Sequence, residues 1–234
     1  MRVGIISDVH ANYPALSSIL NAADSEEIEK WLVLGDLVGY YYWASDCIEV
    51  LRGLDIECIG GNHDRLVLSV AKGESNADVL RKKYGSGHQI AMDQLDSTQL
   101  SWLAGLPDTL DVSILGCSVH LCHGAPWNPV EYVYPDAPEK VWKAFGNVES
   151  DVVLYGHSHY ANARFVGKTL VLNPGSVGQP RDRKGGAQWA VWDPESNWFE
   201  LRRESYDVSI VQNLCQLYDP HLAYLSEVLV CRDS

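Results

Sequence analysis

Five short polar clusters contain most of the residues in this chain that could carry out chemistry. Their sequences are SDVHAN (7–12), GDLVGY (35–40), GGNHD (60–64), HGAP (123–126) and GHSH (156–159). The candidate functional residues within them are Asp8, His10, Asp36, Asn62, His63, Asp64, His123, His157 and His159. Carboxylates, imidazoles and an amide oxygen, with no thiolate, suit Mn, Fe or Zn ions better than they suit a structural zinc site. A carboxylate can also bridge two ions, and two ions about 3.5–4 Å apart form a clamp for phosphoryl displacement.

Each cluster, taken alone, has an ordinary structural interpretation. A strand-end aspartate such as Asp8 often caps the next helix. The Gly-Asp pair at 35–36 alone is a turn, and the Asn-His-Asp segment at 62–64 can make Asx-type hydrogen bonds. Five such clusters at one place are not explained in this way, because converging carboxylates repel one another without a cation. Their conjunction favours one shared metal site.

Each polar cluster follows a strand-like run of apolar residues. The runs lie at 3–6, 31–34, 56–59, 118–122 and 152–155, and helical patterns at 15–23 and 44–51 separate the first three. This alternation predicts a layered α/β core. The carboxyl ends of such strands share one edge, where sites form. His157 and His159 stand two residues apart at a strand end, so an extended chain would place both on one side and turn Ser158 away.

The remainder of the chain shows no repeat and no linker that would divide it. The stretch 66–106 is predicted to be helical with a break at Gly85 and Gly87, short antiparallel strands follow Tyr155, and a final helix is predicted at 221–230. A chain of 234 residues can bury one sizeable core. We therefore predict a single domain over residues 1–234.

Charge and composition exclude some partners. The chain has 31 acidic and 18 basic residues, a formal net charge of −13. Such a surface argues against a long nucleic acid, whereas a small phosphorylated substrate needs only one cationic pocket. Six cysteines without a CxxC pair are typical of the reducing cytosol. With no apolar run of membrane-spanning length and no signal-like segment before MRVGIISD, we predict a cytoplasmic protein without a membrane partner, and an oligomer is left open.

The chain resembles the calcineurin-like metallophosphoesterase superfamily in the order of its motifs, which are Asp8-x-His10, Gly35-Asp36, Gly61-Asn62-His63-Asp64, His123-Gly124 and Gly156-His157-Ser158-His159. The segment NPGSVGQPR (173–181) resembles the small bacterial and archaeal phosphodiesterase branch of that superfamily. The resemblance implies an α/β fold, a four-layer α-β-β-α sandwich of two mixed sheets with the site at the strand ends. It also implies a metal-dependent hydrolase of phosphate esters, with phosphodiesters or nucleotides favoured, in which a hydroxide at a two-metal site attacks phosphorus in line.

The resemblance further implies a role for each site residue. One metal ion would be held by Asp8, His10 and His159, the second by Asn62, His123 and His157, and Asp36 would bridge them. The implied cofactor is two divalent transition metal ions per chain, Mn²⁺ before Fe, Zn²⁺ or Ni²⁺. His63 would donate a proton to the leaving group or stabilise the phosphoryl charge, and Asp64 would hold its ring.

Substrate contacts are predicted at four further residues, each with a structural alternative. Asn12 lies near the implied phosphate position, although it could equally cap the following helix, and Arg181 could bind phosphate or remain solvated. Four consecutive aromatics at 40–43 cannot all face a core. Tyr42 and Trp43 are therefore predicted to line the cleft and stack on a nucleobase, with packing or a subunit contact as the alternative. The histidines outside the clusters, His88, His120 and His221, are interpreted as structural.

Three other functions are weighed against a small-molecule phosphoesterase. A non-catalytic metal-binding scaffold of the same fold, like one retromer subunit that resembles it, would not need His63 and Asp64 beside every ligand position. Serine/threonine phosphoprotein phosphatases of the superfamily follow the Gly-Asp pair with an Asp-Arg-Gly element, and GDLVGYYYWASD (35–46) has no arginine. The acidic charge counts against a nuclease for long polyanions.

Overall fold

The computed structural model describes residues 1–196 and 198–231, and its strands form two mixed five-stranded sheets. Asn197 and the last three residues of the predicted 1–234 domain lie outside the described residues. The strands are β1 (Arg2–Ile6), β2 (Ile28–Val33), β3 (Ile56–Cys58), β4 (Thr109–Ile114), β5 (Cys117–Cys122), β6 (Val152–Leu154), β7 (Asn162–Val166), β8 (Thr169–Asn173), β9 (Ala187–Asp193) and β10 (Trp198–Glu204). That the whole chain is one domain stays a prediction.

Parallel strands at the centre of each sheet bring their carboxyl ends to a common edge. In the first sheet the order is β10-β9-β1-β2-β3, in which β1, β2 and β3 are parallel and β9 is antiparallel to both its neighbours. In the second the order is β4-β5-β6-β8-β7, with β5, β6 and β8 parallel and antiparallel strands at both edges. The predicted α/β class with two mixed sheets is confirmed.

Helices connect the parallel strands and cover the sheets. They are α1 (Tyr13–Ala23), α2 (Ala44–Arg52), α3 (Asn62–Ala71), α4 (Ala77–Tyr84), α5 (Gly87–Gln94), α6 (Ser97–Gly105), α7 (Glu139–Phe145), α8 (Val208–Tyr218) and α9 (Tyr224–Glu227). The helical region predicted at 66–106 is confirmed as α3 to α6. The break predicted at Gly85 and Gly87 lies at Gly85, whose φ is +86°, and at Ser86, because Gly87 already begins α5. None of the described helices combines the length and apolar character needed to cross a bilayer.

Two elements differ from the sequence-based expectation. The predicted final helix at 221–230 is wrong in extent, because α9 covers only four residues and the longer α8 precedes it. The edge strand β4 was not predicted, because its side chains are exposed or half-buried for most of its length and give no apolar run.

Alternating side chains of the strands build the layers of the sandwich. Ile5 of β1 faces the second sheet and shares an apolar cluster with Leu121 of β5. Ile6, one residue further, belongs to the cluster formed with α1 and α2. On the outer face of the second sheet, Trp142 and Phe145 of α7 complete a third cluster. The order is α-β-β-α, as predicted.

The aromatic stretch 40–43 packs against α8 and α9, and of its four rings Tyr40 also contacts the site histidines His10 and His63. Tyr42 is 3% exposed and lies in one apolar cluster with Val211 and Leu225, and Trp43 packs against the same cluster. The Tyr42 hydroxyl donates a hydrogen bond to Asp219 Oδ2 at 3.0 Å. The prediction that Tyr42 binds substrate is therefore wrong, and the same role for the half-buried Trp43 stays a prediction. The two C-terminal helices supply a second apolar surface, which local sequence pattern does not reveal.

Tyr42→Ala should destabilise the fold. Truncating a buried aromatic ring costs roughly 3–5 kcal/mol, because burial and packing are lost together. Tyr42→Phe should cost about 1–3 kcal/mol, since it removes only a hydrogen bond to the buried Asp219 carboxylate. Phe165→Ala is the control, because that ring is 53% exposed and its loss should cost far less. Urea unfolding measures all three, and a Tyr42→Ala protein as stable as the wild type would contradict the packing role.

Candidate metal centre

Two buried aspartates each use one carboxylate oxygen to hold the fold and direct the other at the site. Asp8 Oδ2 accepts hydrogen bonds from the Ser7 hydroxyl at 2.7 Å and from the His157 backbone N–H at 3.0 Å. Asp36 Oδ1 accepts from the backbone N–H of His63 at 2.7 Å, at the N-terminus of α3. Within the described part of the chain, Asp8 Oδ1 and Asp36 Oδ2 have no hydrogen-bond partner. Buried acceptors of this kind fit a cation.

Four histidines are oriented by the same principle, each with one ring nitrogen bound to a backbone carbonyl. The pairs are His10 Nδ1 with Val38 O (3.3 Å), His123 Nδ1 with Leu34 O (2.7 Å), His159 Nδ1 with Gln179 O (2.7 Å) and His157 Nε2 with Val130 O (3.2 Å). Because a carbonyl only accepts, these nitrogens carry protons, and in a neutral ring the opposite nitrogen has a lone pair for the site. Burial lowers the pKa of His10 to about 3 and that of His157 to about 4, which keeps both rings neutral.

The free atoms of these residues converge on two adjacent groups of possible metal ligands. One group is Asp8, His10 and His159, and the other is Asp36, His123 and His157, with the ligand atoms of each group within 4.8 Å of one another. The shortest separations are His10 Nε2–His159 Nε2 (3.1 Å), His159 Nε2–Asp8 Oδ1 (3.3 Å), His123 Nε2–Asp36 Oδ2 (3.2 Å) and His123 Nε2–Asn62 Oδ1 (3.1 Å). The structure thus brings together all seven residues predicted as ligands, and this donor set fits divalent ions.

The charges of the site stabilise one another. Burial raises the pKa of both aspartates, but the nearby imidazoles together outweigh it, with His159 foremost at Asp8 and His123 foremost at Asp36, so the pKa of each carboxyl is lowered. Burial lowers the pKa of His123, but Asp36, Asp8 and the Leu34 carbonyl together outweigh that effect and raise it to about 10. A proton and a metal ion therefore compete for His123 Nε2.

The backbone of the site is in the left-handed region at five of the seven predicted ligands. The φ angles are 55° at Asp8, 52° at His10, 53° at Asp36, 63° at His157 and 62° at His159. A residue with a side chain adopts this conformation at a cost of order 1–3 kcal/mol. Strain of this kind gathers at sites where the fold must direct side chains into one place.

The segment 156–159 forms a tight turn, so the extended geometry predicted for it is wrong. The Ser158 N–H donates to Gly156 O at 2.7 Å, which an extended chain could not do. His159 consequently joins Asp8 in the first group, while His157 joins the second. Ser158 does turn away from the site, as predicted, and its hydroxyl accepts a hydrogen bond from Asn173 Nδ2 at 3.2 Å.

Two glycines allow the second and third clusters to touch. Gly35 has φ +87°, and a Cβ there would lie 2.5 Å from the backbone nitrogen of Gly61. A Cβ on Gly61 would lie 2.2 Å from Asp36 Oδ1. Any side chain at either position would therefore push Asp36 away from α3.

His63 lies beside the first group and is held by a histidine that the sequence pattern did not identify. Its ring centroid is 4.9 Å from that of His10 and 4.6 Å from that of Tyr40. Its Nδ1 lies 3.0 Å from Nε2 of the buried His88 on α5. Burial lowers the pKa of His63 well below its ordinary value and that of His88 to about 4. The interpretation of His88 as merely structural missed this contact, for which the only sequence signal is the glycine-flanked SGHQ (86–89).

Asp64 has a different task from the one predicted. Its carboxylate accepts hydrogen bonds from the backbone N–H groups of Leu37 at 2.9 Å, Val38 at 3.1 Å and Gly61 at 2.8 Å. It thus ties the loop after β2 to the start of α3. The prediction that Asp64 holds the His63 ring is wrong, because backbone donors occupy its oxygens.

Asn12 is a helix cap and not a substrate contact. Its Oδ1 accepts from the Ala15 N–H at 3.2 Å, and its Nδ2 donates to Gly178 O at 2.9 Å and to the Tyr206 hydroxyl at 3.1 Å. The side chain is fully buried. Its prediction as a substrate-binding residue is wrong, because the fold uses both ends of its amide.

Arg181 lies next to the site. Its backbone N–H donates to His159 O at 3.2 Å. Its guanidinium Nη2 donates to Gln179 Oε1 at 3.1 Å and to the Tyr40 hydroxyl at 3.4 Å, which are both neutral acceptors. A half-buried cation with neutral partners suits an anionic substrate group, and the role predicted for Arg181 stays a prediction.

An α-β-β-α sandwich with two groups of metal-ligand atoms at its strand ends defines the metallophosphoesterase class of folds. The model of the calcineurin-like phosphoesterase superfamily domain matches residues 1–197, and the chain belongs to this superfamily of metal-dependent phosphoesterases. It is 31% identical over 223 residues to the uncharacterized protein MJ0912 of Methanocaldococcus jannaschii, covering 88% of each chain.

Two solved structures share this architecture. One is a metallophosphoesterase from Sphaerobacter thermophilus, 26% identical with a TM-score of 0.80, over 98% of this chain and 100% of that one. The other is the protein PH1004 from Pyrococcus horikoshii OT3, 22% identical with a TM-score of 0.82, over 96% of this chain and 97% of that one. The second likeness concerns the fold alone.

Mn²⁺ should raise the melting temperature of the protein, because a ligand that binds only the folded state stabilises it by mass action. A chelator should reverse the rise. Asp36→Asn should abolish most of it, while Asp93→Asn, at an exposed carboxylate away from the site, should leave it intact. Differential scanning calorimetry at several Mn²⁺ concentrations makes the comparison. The same rise in Asp36→Asn as in the wild type would show that the ion binds elsewhere.

Proposed function

We propose that this protein hydrolyses phosphate esters with two divalent ions, and that phosphodiesters or nucleotides are preferred over phosphoproteins. The observation that supports this most is the pair of buried carboxylates whose unpartnered oxygens, Asp8 Oδ1 and Asp36 Oδ2, face imidazole nitrogens. Oxygen and imidazole donors without thiolate favour Mn²⁺, with Fe, Zn²⁺ and Ni²⁺ as alternatives.

The seven ligands divide between two ions. One ion would be held by Asp8, His10 and His159, and the other by Asn62, His123 and His157. Asp36 would contact both, since its Oδ2 lies 3.2 Å from His123 Nε2 and 3.8 Å from His10 Nε2. Such ions acidify water near neutral pH and neutralise charge on phosphoryl oxygens.

His63 is proposed to donate a proton to the leaving group from its imidazolium form and so return to the neutral imidazole. Because burial keeps the ring neutral in the free protein, the second proton would be taken up with the anionic substrate. In the arrangement that satisfies both rings, His88 Nε2–H donates to His63 Nδ1, so the proton of His63 sits on Nε2. His88 Nδ1 has no partner among the described residues, and in this arrangement it carries a lone pair and not an orphaned N–H. His88 therefore acts as a positioning residue for the proton donor.

Two features next to the proposed ions, a cavity and an arginine, are proposed to bind the substrate. A cavity of about 380 Å³ adjoins the second group and is lined in part by Asn62, His123 and Val130. Arg181, whose backbone N–H bonds to His159 O, supplies a positive charge beside the first group, where its guanidinium reaches the Tyr40 hydroxyl. A guanidinium binds phosphoryl oxygens well, so we assign Arg181 to a non-reacting oxygen or to a second anionic group.

Metal stoichiometry separates a two-ion site from a one-ion site. The wild type loaded with Mn²⁺ should retain close to two ions per chain. Asp36→Asn should weaken both sites, because the Asp36 carboxylate lies next to both groups of ligands. Asn62→Ala should weaken mainly one site. Elemental analysis after gel filtration gives the counts. A wild type that never retains more than one ion would contradict the proposal.

His63→Ala should keep the fold and the metal content but lose roughly 10²–10⁴-fold in kcat, the usual worth of a general acid. The loss should shrink for nitrophenolate leaving groups, which need little protonation. His88→Ala should show the same dependence on the leaving group, and His221→Ala, at an exposed histidine, should behave like the wild type. Steady-state kinetics over a series of leaving groups provides the measurement. Equal losses for good and poor leaving groups would favour electrostatic stabilisation instead.

A further inference from the structure

Three tyrosines form a continuous array that starts at the candidate metal centre and ends at the surface. Tyr132 stacks on the predicted ligand His157, with ring centroids 3.9 Å apart and planes inclined by 29°. Tyr134 lies parallel to Tyr132 at 5.9 Å, and Tyr160 meets Tyr134 edge to face at 5.7 Å. The array thus connects the site to the outside through ring contacts alone.

Packing does not account for this array. Tyr132 is 47% exposed and Tyr134 is 41% exposed, in contrast to Tyr40, Tyr41 and Tyr42, which α8 and α9 bury. Both exposed rings lie on the irregular segment between β5 and α7. Large apolar side chains left in water beside a site indicate recognition, and loops carried by a rigid sheet are where recognition residues concentrate.

A cavity at the outer end of the array has the size and chemistry of a nucleoside pocket. It measures about 480 Å³ and is lined by Tyr134, Pro135, Asp136 and Tyr160. Small-molecule sites usually fall at about 300–1,000 Å³, so a nucleoside fits the volume of this open surface cavity. The Asp136 carboxylate would repel phosphate, but it can accept hydrogen bonds from ribose hydroxyls or an exocyclic amino group.

The charges divide the region into a phosphate side and a nucleoside side. Arg181 interacts with the Tyr132 hydroxyl at the inner end of the array, next to the metal ligands. The outer end carries Asp136 in its place. A phosphorylated nucleoside has the matching polarity, with anionic groups at one end and an uncharged aromatic group with hydrogen-bond donors at the other.

We infer that the substrate is a nucleotide whose base and ribose bind at Tyr134 and Tyr160 while its phosphate lies at the metal centre. This inference rests on the proposed phosphoesterase function and names its substrate class. Each stacked base is worth ~1–3 kcal/mol, which corresponds to about 5- to 150-fold in affinity. It places the aromatic platform at Tyr134 and Tyr160 in place of the predicted Tyr42 and Trp43.

Calorimetry with two non-hydrolysable probes tests the pocket without relying on turnover. The probes are methylenediphosphonate and adenosine 5′-(α,β-methylene)diphosphate, titrated into the Mn²⁺-loaded protein. Adding the nucleoside should lower Kd about 5- to 150-fold in the wild type. Tyr134→Ala should remove this gain, and Tyr134→Phe, which keeps the ring, should retain it. Phe165→Ala is the matched control, since it removes an exposed aromatic ring that lies on β7 and outside the array.

Three results would overturn the inference. The two probes could bind equally well or not at all, or the nucleoside could still improve affinity in Tyr134→Ala. In the third result, Tyr134→Ala would leave probe binding unchanged and alter only the oligomeric mass measured by light scattering. The last would identify the array as a subunit contact. Turnover of bis(4-nitrophenyl) phosphate is scored separately. Its absence in the metal-loaded wild type would refute the proposed function, whereas its presence with equal probe affinities would refute only the nucleoside pocket.

Discussion

Two carboxylates buried at the same sheet edge impose the main constraint on this molecule. Asp8 and Asp36 each bind backbone or side-chain donors through one oxygen and direct the other at imidazole nitrogens. Like charges this close repel one another in a low-dielectric interior. His159 and His123 relieve part of that repulsion, and divalent ions would relieve the rest. The carbonyl contacts of the histidine rings and the two-glycine contact between Gly35 and Gly61 all serve this convergence.

The packed double-sheet core offsets the strain of the site and holds its backbone in place. Ligand residues in the left-handed region each cost of order 1–3 kcal/mol, and they persist only where surrounding structure determines the backbone. Here each strained residue follows a strand that is buried between layers, such as β1 or β6. The site is thus fixed by rigid strand ends, while the exposed tyrosines that we assign to the substrate lie on the longer segment before α7. The rigid strand ends therefore fix the metal ligands, and the longer loop segment can adapt to the base of the substrate.

The ligand positions could be predicted from the sequence because they depend on local order: an apolar strand, then a polar cluster, repeated at one edge. What could not be predicted depends on partners distant in the chain. Asp64 bonds to the loop after β2, Tyr42 is buried by α8 and α9, and His88 reaches His63 only because α4 and α5 fold back. The left-handed turn at His157 could not be predicted for another reason, because the rule that side chains alternate assumes an extended strand end.

Anomalous diffraction from crystals of the Mn²⁺-loaded protein tests the central claim most directly. Two peaks should appear about 3.5–4 Å apart, one beside Asp8, His10 and His159 and the other beside Asn62, His123 and His157, with Asp36 touching both. A single peak, or peaks away from these residues, would contradict the account.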